Sequence, residues 1–288
     1  ETLVMELSSF QLLGVQTFRP RVSVLLNIYE AHLDYHKTME HYAEAKANIC
    51  KNQRDEDYVI YNADDPIIEK LIMESPAQKI PFSTKEIYKE GAWSDGEKVY
   101  FQDQEIMLKE EIVLVGEHNF ENILAAISAA SIMGATPEGI KRVLTTFQGV
   151  PHRLQFIKNV HGRLFYNNSK ATNILATTTA LNSFQQPIIL LAGGLDRGNS
   201  FDGLIPYLSN VKAMVLFGQT KEKLKDTGLK AGIENIYIVD NVEQAVNKAY
   251  EFSAENDVIL LSPACASWDQ YRSFEERGDM FVKAVHKL

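Results

Sequence analysis

Tyr166-Asn167-Asn168-Ser169-Lys170-Ala171-Thr172-Asn173 joins two apolar runs of different character. Before it stands Arg163-Leu164-Phe165-Tyr166, which reads as a strand; after it stands Ile174-Leu175-Ala176-Thr177-Thr178-Thr179-Ala180-Leu181, which reads as a helix. A strand that passes into a helix through Asn, Ser, Lys and Thr sets backbone N–H groups, hydroxyls and one cation at a helix N-terminus, where an anion is favoured. The same residue types cap ordinary helices. Spacing alone leaves both readings open.

Working outward, Gly149-Val150-Pro151-His152-Arg153 interrupts the pattern and divides the chain into residues 1–150 and 151–288. In the second part, strands are expected near residues 154–159, 164–167, 187–192, 213–217, 236–239 and 258–262. Helices lie between them, and a last long one covers about 268–287. Alternating strands and helices imply a mostly parallel, Rossmann-like sheet with helices on both faces. The first part also alternates. Runs rich in Val, Ile and Leu at residues 2–7, 22–28 and 58–62 suit parallel strands covered on both sides. Tyr42, Ala45 and Ile49 mark a helix over 38–51 by their three- and four-residue spacing. Residues 91–108 read as a small antiparallel β insert. Helices follow near 120–133 and 137–147, the second with Thr136 as its N-cap and Pro137 in its first turn. The fold class is α/β in two domains.

The 288 residues suit about two domains. Hydrophobic residues make up 45% and charged residues 23%, a globular balance. A net charge of −9 with no long basic run argues against nucleic acid as a partner. Cys50 and Cys265 are far apart and form no CxxC pair, so a disulfide framework is not expected and a reduced cytoplasmic setting fits. No apolar run reaches the length of a membrane span and no signal peptide is visible, so no membrane insertion is expected. A monomer is expected. Glu1-Thr2-Leu3-Val4-Met5-Glu6-Leu7 already reads as a buried strand with nothing before it, so the chain reads as part of a longer one.

Ligands of parallel sheets gather at the carboxyl ends of the strands. Glu6 ends the first strand, Glu30, His32 and Asp34 follow the second, and Asn62, Asp64 and Asp65 follow the third. Each set alone reads as loop charges or caps; three sets at one sheet edge suit a cation or phosphate. Lys46 lies beside the apolar face of its helix, where its stem would cover apolar surface. Gly193-Gly194-Leu195-Asp196-Arg197-Gly198 fails the dinucleotide pattern G-x-G-x-x-G, because Leu195 stands at the second required glycine. No G-x-S-x-G elbow surrounds Ser267. Cys265 reads as buried scaffold.

The string Asn167-Asn168-Ser169-Lys170-Ala171-Thr172-Asn173 resembles the Asn-Asp-Ser-Lys-Ala-Thr-Asn signature of the Mur ligases, the amide-forming enzymes of peptidoglycan synthesis, with Asn168 in place of the usual Asp. Glu6-Leu7-Ser8-Ser9-Phe10-Gln11, His32-Leu33-Asp34, Tyr42-Ala43-Glu44-Ala45-Lys46, His118-Asn119-Phe120-Glu121-Asn122 and Pro151-His152-Arg153 match further elements of that family. Ser262-Pro263-Ala264-Cys265-Ala266-Ser267 and Phe274-Glu275-Glu276-Arg277-Gly278 match its D-glutamate-adding branch. The resemblance implies an ATP-binding central domain over 1–150, incomplete at its start, and an amino-acid-binding domain over 151–288. It implies ATP-dependent joining of D-glutamate to UDP-N-acetylmuramoyl-L-alanine through an acyl phosphate. Glu6, His32 and a CO₂-carbamylated Lys46 would be the catalytic and Mg²⁺-binding groups. Asn119, Asn122, His152, Arg153 and Asn168 would bind the nucleotide. Ser8, Gln11, Lys170, Thr172, Arg197, Ser267 and Phe274 would bind substrate. Alternatives are another amide ligase of the superfamily, such as a folylpolyglutamate synthase, or a non-catalytic nucleotide-binding protein. No G-x-x-x-x-G-K-[ST] phosphate loop occurs, so these 288 residues by themselves are expected to be inactive.

Overall fold

The computed structural model of the protein describes residues 2–288. They form two compact units: one runs to Val113 and again over Glu117–Thr146, the other comprises Leu114–Gly116 and Phe147–Leu288. Both are α/β. No helix among the described residues is long and apolar enough to cross a membrane.

In chain order the first unit contains α1 (Ser9–Leu13), β1 (Val22–Leu25), α2 (Leu33–His36), α3 (Met39–Ala47), β2 (Tyr58–Asn62), α4 (Pro66–Ile72), β3 (Gln78–Phe82), β4 (Ala92–Ser94), β5 (Lys98–Phe101), β6 (Gln104–Leu108), α5 (Glu117–Ile132) and α6 (Pro137–Leu144). Its sheet has the order β1-β2-β3-β4-β5-β6. The first three neighbour pairings are parallel and the last two antiparallel. The expected β insert is therefore antiparallel, but it continues the main sheet instead of standing apart. Gly91 permits the junction, because a Cβ there would lie 1.7 Å from the Pro81 carbonyl oxygen. Val59, Leu25, Ile68, Ile72, Tyr42 and Ala43 form the core beneath α3 and α4. The expected strand over 2–7 is a correction. Glu1 lies outside the described residues, and residues 2–7 pair with no strand among the rest. Leu3 and Val4 are 81% and 90% exposed. Apolar composition makes a strand only where a neighbouring backbone takes its N–H and C=O groups.

The second unit contains β7 (Gln155–Val160), β8 (Arg163–Asn167), α7 (Ile174–Leu181), β9 (Ile188–Gly193), β10 (Val211–Phe217), α8 (Lys221–Lys230), β11 (Ile236–Ile238), α9 (Val242–Phe252), β12 (Val258–Leu261) and α10 (Phe274–Val285). The sheet order is β11-β10-β9-β12-β8-β7, parallel except for the β7–β8 hairpin. All six residues of β9 are buried. Ile188, Leu190 and Ala192 belong to the core that includes Leu181, Leu204 and Leu224; Ile189 and Leu191 belong to the opposite core with Val246, Phe281 and Val285. A two-residue period on a strand covered on both faces thus reads in sequence as an unbroken apolar run.

The last helix is a second correction. It begins at Phe274, not Trp268, because the Ser273 hydroxyl caps it by accepting the Glu276 N–H. The preceding residues form a turn, with the N–H groups of Gln270 and Tyr271 both donating to the Ser267 carbonyl.

At the carboxyl ends of the strands lies the Arg277 guanidinium, fully buried. Nε donates to Ser169 Oγ at 3.0 Å and Nη2 to the Ser169 carbonyl at 2.8 Å; Nη1 donates to the carbonyls of Cys265 at 3.0 Å and Gly193 at 3.4 Å. One side chain therefore ties the segments that leave β8, β9 and β12. Burial pulls its pKa down to about 10, against a smaller opposing pull from Cys265 and Asp269. Arg277→Met strands three carbonyls and should destabilise the second unit by ~3 kcal/mol or more. Urea unfolding checks this with the native tryptophans, since Trp93 lies in the first unit and Trp268 in the second. The transition reported by Trp268 should move to lower urea while that of Trp93 stays.

Candidate functional site

The segment from Asn167 to Asn173 turns most of its polar groups inward. Asn173 caps α7, its side chain accepting the Ala176 N–H at 2.9 Å. Asn167 Oδ1 accepts the Ser169 N–H at 3.1 Å, and its Nδ2 donates to His152 Nδ1 at 3.0 Å and to the Gly278 carbonyl at 3.2 Å. Asn168 Oδ1 accepts the Leu154 N–H at 3.1 Å, and its Nδ2 donates to Ser262 Oγ at 3.1 Å. Ser262 Oγ donates in turn to Thr177 Oγ1 at 3.0 Å. Ser169 Oγ donates to the Phe274 carbonyl at 2.8 Å. Of this stretch Lys170 and Asn173 are exposed and Thr172 is half-buried. The anion-receiving N-terminus expected from spacing is thus mostly a knot of internal hydrogen bonds, with one cation facing out.

Lys170 Nζ lies 5.6 Å from the Phe274 ring centroid. Arg197 stands on the exposed loop after β9, its guanidinium carbon 5.0 Å from the centroid of the Trp268 ring. Ser267, next to Trp268, is 1% exposed and its Oγ has no hydrogen-bond partner. A buried hydroxyl left unpaired is costly and calls for a ligand or water. Asp269 Oδ1 is also unpaired, while its other oxygen accepts the Gln219 N–H at 3.0 Å. Lys170, Thr172, Arg197, Ser267 and Phe274 therefore all lie on the segments that leave β8, β9 and β12, on the crevice side of the sheet. The glycines at the end of β9 serve this convergence and not a phosphate cradle: a Cβ at Gly193 would lie 1.9 Å from the Phe217 carbonyl oxygen, and one at Gly194 2.3 Å from that of Ala266. Cys265 is buried and donates to or accepts from Thr220 Oγ1 at 3.3 Å; burial pushes its thiol up to about 11, so it stays an inert thiol.

His152 is buried against α10. A Cβ at Gly278 would lie 2.1 Å from its Nδ1, so only glycine fits there. Its backbone is left-handed at φ 65°, as is Leu154 at 42°, and Gly149 stands at 96°. Arg153 is exposed.

In the first unit, Asn119 is half-buried and Asn122 exposed in the first turns of α5. Between them Glu121 has its carboxyl held above the usual range by burial, then by Asp64 and Glu117. Ser8 and Gln11 form a reciprocal cap of α1: Ser8 N–H donates to Gln11 Oε1 at 2.9 Å and Ser8 Oγ accepts the Gln11 N–H at 3.3 Å. Glu6 is exposed. His32, left-handed at φ 56°, is exposed and packs edge-on to Phe10. Lys46 is half-buried with Nζ 5.6 Å from the Tyr42 ring centroid. Among the described residues no group of three or more His, Cys, Asp or Glu is placed to hold a metal. The acids after β2 are strand-end ties: Asp64 accepts from Ser83 Oγ at 2.7 Å and Asp65 accepts the N–H of Ile28 at 3.1 Å.

Three residues that carry this site escaped the motif reading. Arg277 and Asn167 stand in the sequence as members of matching strings, Asn167 also as the last residue of an expected strand, and Asp269 as a helix residue. Ser273 followed by Glu276 at the third helical position was the available signal for the late start of α10.

Residues 1–130 match the Mur ligase middle domain and residues 152–265 the Mur ligase glutamate ligase domain. The UDP-N-acetylmuramoylalanine–D-glutamate ligase of Halalkalibacterium halodurans is 57% identical over 288 residues, all of this chain and 64% of that protein. The enzyme of the same name from Geobacillus kaustophilus is 58% identical over 287 residues, 99% of this chain and 64% of that protein. The chain thus spans about 64% of the length of the curated relatives it matches. Among solved structures, the UDP-N-acetylmuramate–alanine ligase of Thermotoga maritima superposes with a TM-score of 0.67 at 18% identity, covering 97% of this chain and 62% of that one. A MurF ligase from the same organism, in complex with ADP, gives 0.60 at 21%, covering 93% and 63%. At these identities the structures share the fold.

The inward geometry of Asn168 yields a stability prediction. Asn168→Ala leaves the buried Leu154 N–H without its acceptor and should cost ~1–3 kcal/mol. Asn168→Asp keeps that acceptor and should cost less. Urea denaturation of both variants beside the unsubstituted chain checks the order.

Proposed function

The chain belongs to the Mur ligase family, and on that premise we propose that it forms most of the catalytic machinery of an ATP-dependent ligase that joins D-glutamate to UDP-N-acetylmuramoyl-L-alanine. In this reading residues 1–150 handle ATP and residues 151–288 the amino acid. ATP phosphorylates the alanyl carboxylate, giving an acyl phosphate and ADP. The D-glutamate amine attacks the acyl carbon, and a tetrahedral intermediate then expels phosphate as the amide forms.

The observation that carries the amino-acid side is the buried, unpartnered Ser267 hydroxyl with the exposed cations Lys170 and Arg197 on the neighbouring strand-end segments. Two cations and a hydroxyl suit an amino acid with two carboxylates, and an Arg fork takes one carboxylate through two bonds. Thr172 and Phe274 flank Lys170 and complete this side. Holding the amine near the acyl phosphate supplies much of the rate by proximity alone. Asn119, Asn122 and Arg153 are assigned to the nucleotide. Asn168 and His152, both buried, support that side from within by fixing the segments that carry Lys170 and Arg153. Ser8 and Gln11 are assigned to the UDP-linked substrate.

Magnesium takes oxygen ligands. Glu6 and a carbamylated Lys46 would supply oxygens that suit it, and His32 would add a less suited imidazole. As the free ammonium over the Tyr42 ring, Lys46 is not a ligand. An ion held there would supply positive charge to offset the negative charge of the reacting oxygens. In this reading the ligase acts in the cytoplasm as a monomer; the two widely spaced, unpaired cysteines fit a reduced compartment.

Two measurements test this reading. Ligand-observed NMR titration should show D-glutamate binding to the chain in preference to L-glutamate. Arg197→Ala should weaken D-glutamate by about 10- to 100-fold, the worth of a hydrogen bond to a charged group, with ADP unaffected. Equal loss of both ligands, or L-glutamate bound as well as D-glutamate, would count against the assignment. Separately, ¹³C-bicarbonate should give a carbamate carbon signal on the chain that Lys46→Arg abolishes. An unchanged signal in that variant would remove Lys46 from the metal site.

A further inference from the structure

The loop that carries Arg197 is held from two sides. Asp196 Oδ1 accepts the Gly198 N–H at 2.8 Å, closing a turn across Arg197, and Lys223 pairs with the same carboxylate. That pairing holds the Asp196 carboxyl below the usual range, so the nearest acid in sequence is engaged elsewhere. The Asp196 N–H donates to Gln219 Oε1 at 3.2 Å, and the Gln219 N–H donates to Asp269 Oδ2 at 3.0 Å. The turn after β12 thus reaches the Arg197 loop through Asp269 and Gln219, and touches it directly through Trp268. Among the described residues no carboxylate lies within ion-pair distance of Arg197.

Trp268 is 64% exposed. A large aromatic left in solvent contributes little to the core, yet this one sits beside the buried orphan hydroxyl of Ser267 and lies under the Arg197 guanidinium. A guanidinium over an indole uses its face and leaves its in-plane N–H groups available. A carboxylate is bound through those same in-plane groups. The two interactions are compatible, and the first lowers the freedom that the second must remove.

We infer that Trp268 is a positioning residue: its indole holds the Arg197 guanidinium with the N–H fork presented to a carboxylate of the amino-acid substrate. The inference rests on the assignment of Arg197 to that substrate. Trp268 itself need not touch the ligand; it acts through Arg197.

The test is a titration of the 288-residue chain with D-glutamate, followed by calorimetry and by tryptophan fluorescence in a Trp93→Phe background. That background leaves Trp268 as the sole tryptophan. Trp268 emission should change on adding D-glutamate and not with Arg197→Ala. Trp268→Leu should raise the Kd by about two- to five-fold, the scale of an exposed cation–π contact. Trp268→Phe, which keeps a ring face, should recover most of the loss. Trp268→Leu should add no further loss to that of Arg197→Ala, because one interaction is removed twice. Unchanged affinity of Trp268→Leu, or losses that simply add in the double variant, would overturn the role of Trp268 alone. No D-glutamate binding by the unsubstituted chain would overturn the amino-acid assignment and this inference with it.

Discussion

Three parallel strands of the second unit end at one point, and the Arg277 guanidinium occupies it. Its N–H groups meet the Ser169 hydroxyl and the carbonyls of Ser169, Cys265 and Gly193. A parallel sheet leaves such carbonyls without partners where its strands stop, and a buried unpaired carbonyl is costly. A cation that satisfies several at once offsets part of its own desolvation. The arrangement also forces the surrounding sequence. Gly194 must lack a side chain because a Cβ there would lie 3.2 Å from Arg277 Nη1 and 2.3 Å from the Ala266 carbonyl oxygen.

The groups we assign to substrate are placed by this knot. Lys170 follows Ser169, whose backbone and hydroxyl Arg277 holds. Ser267 follows Cys265 by two residues, and Arg197 follows Gly193 by four. Three segments distant in sequence are therefore presented together by one fully buried group. The fixed positive charge also favours anions near the strand ends. The internal part of this region is polar and hydrogen-bonded, and the outward part is a few long side chains.

The same division explains how far motifs could be read. Alternation of strands and helices was legible because apolar runs bounded by Gly, Pro and Asn carry their own period, as β9, β12 and α7 do. The strand expected over residues 2–7 was not, since a strand exists only through a partner backbone. The early part of the expected final helix is one isolated turn on the Ser267 carbonyl, which stops before the extended Ser273 that caps the helix proper. Residue types singled out Lys170, Arg197 and Ser267, and the fold carries Lys170 and Arg197 to the surface and leaves the buried Ser267 hydroxyl without a partner. They did not distinguish Asn168 and His152, which carry the same polar groups but turn them inward.

What the sequence by itself determined is the α/β class and the chemical inventory, because side-chain periodicity and functional groups are properties of the chain. Direction was decided only in the tertiary structure. Whether an amide, hydroxyl or imidazole faces a ligand or a neighbouring strand depends on which backbone groups the fold leaves unpaired nearby. Those unpaired groups, at the ends of β8, β9 and β12, come together only when residues up to 108 positions apart meet. Arg277 satisfies them; beside it Asn167, Asn168 and Ser169 turn inward onto backbone groups of Gly278, Leu154 and Phe274, Lys170 does not, and no local pattern in the chain separates the two outcomes.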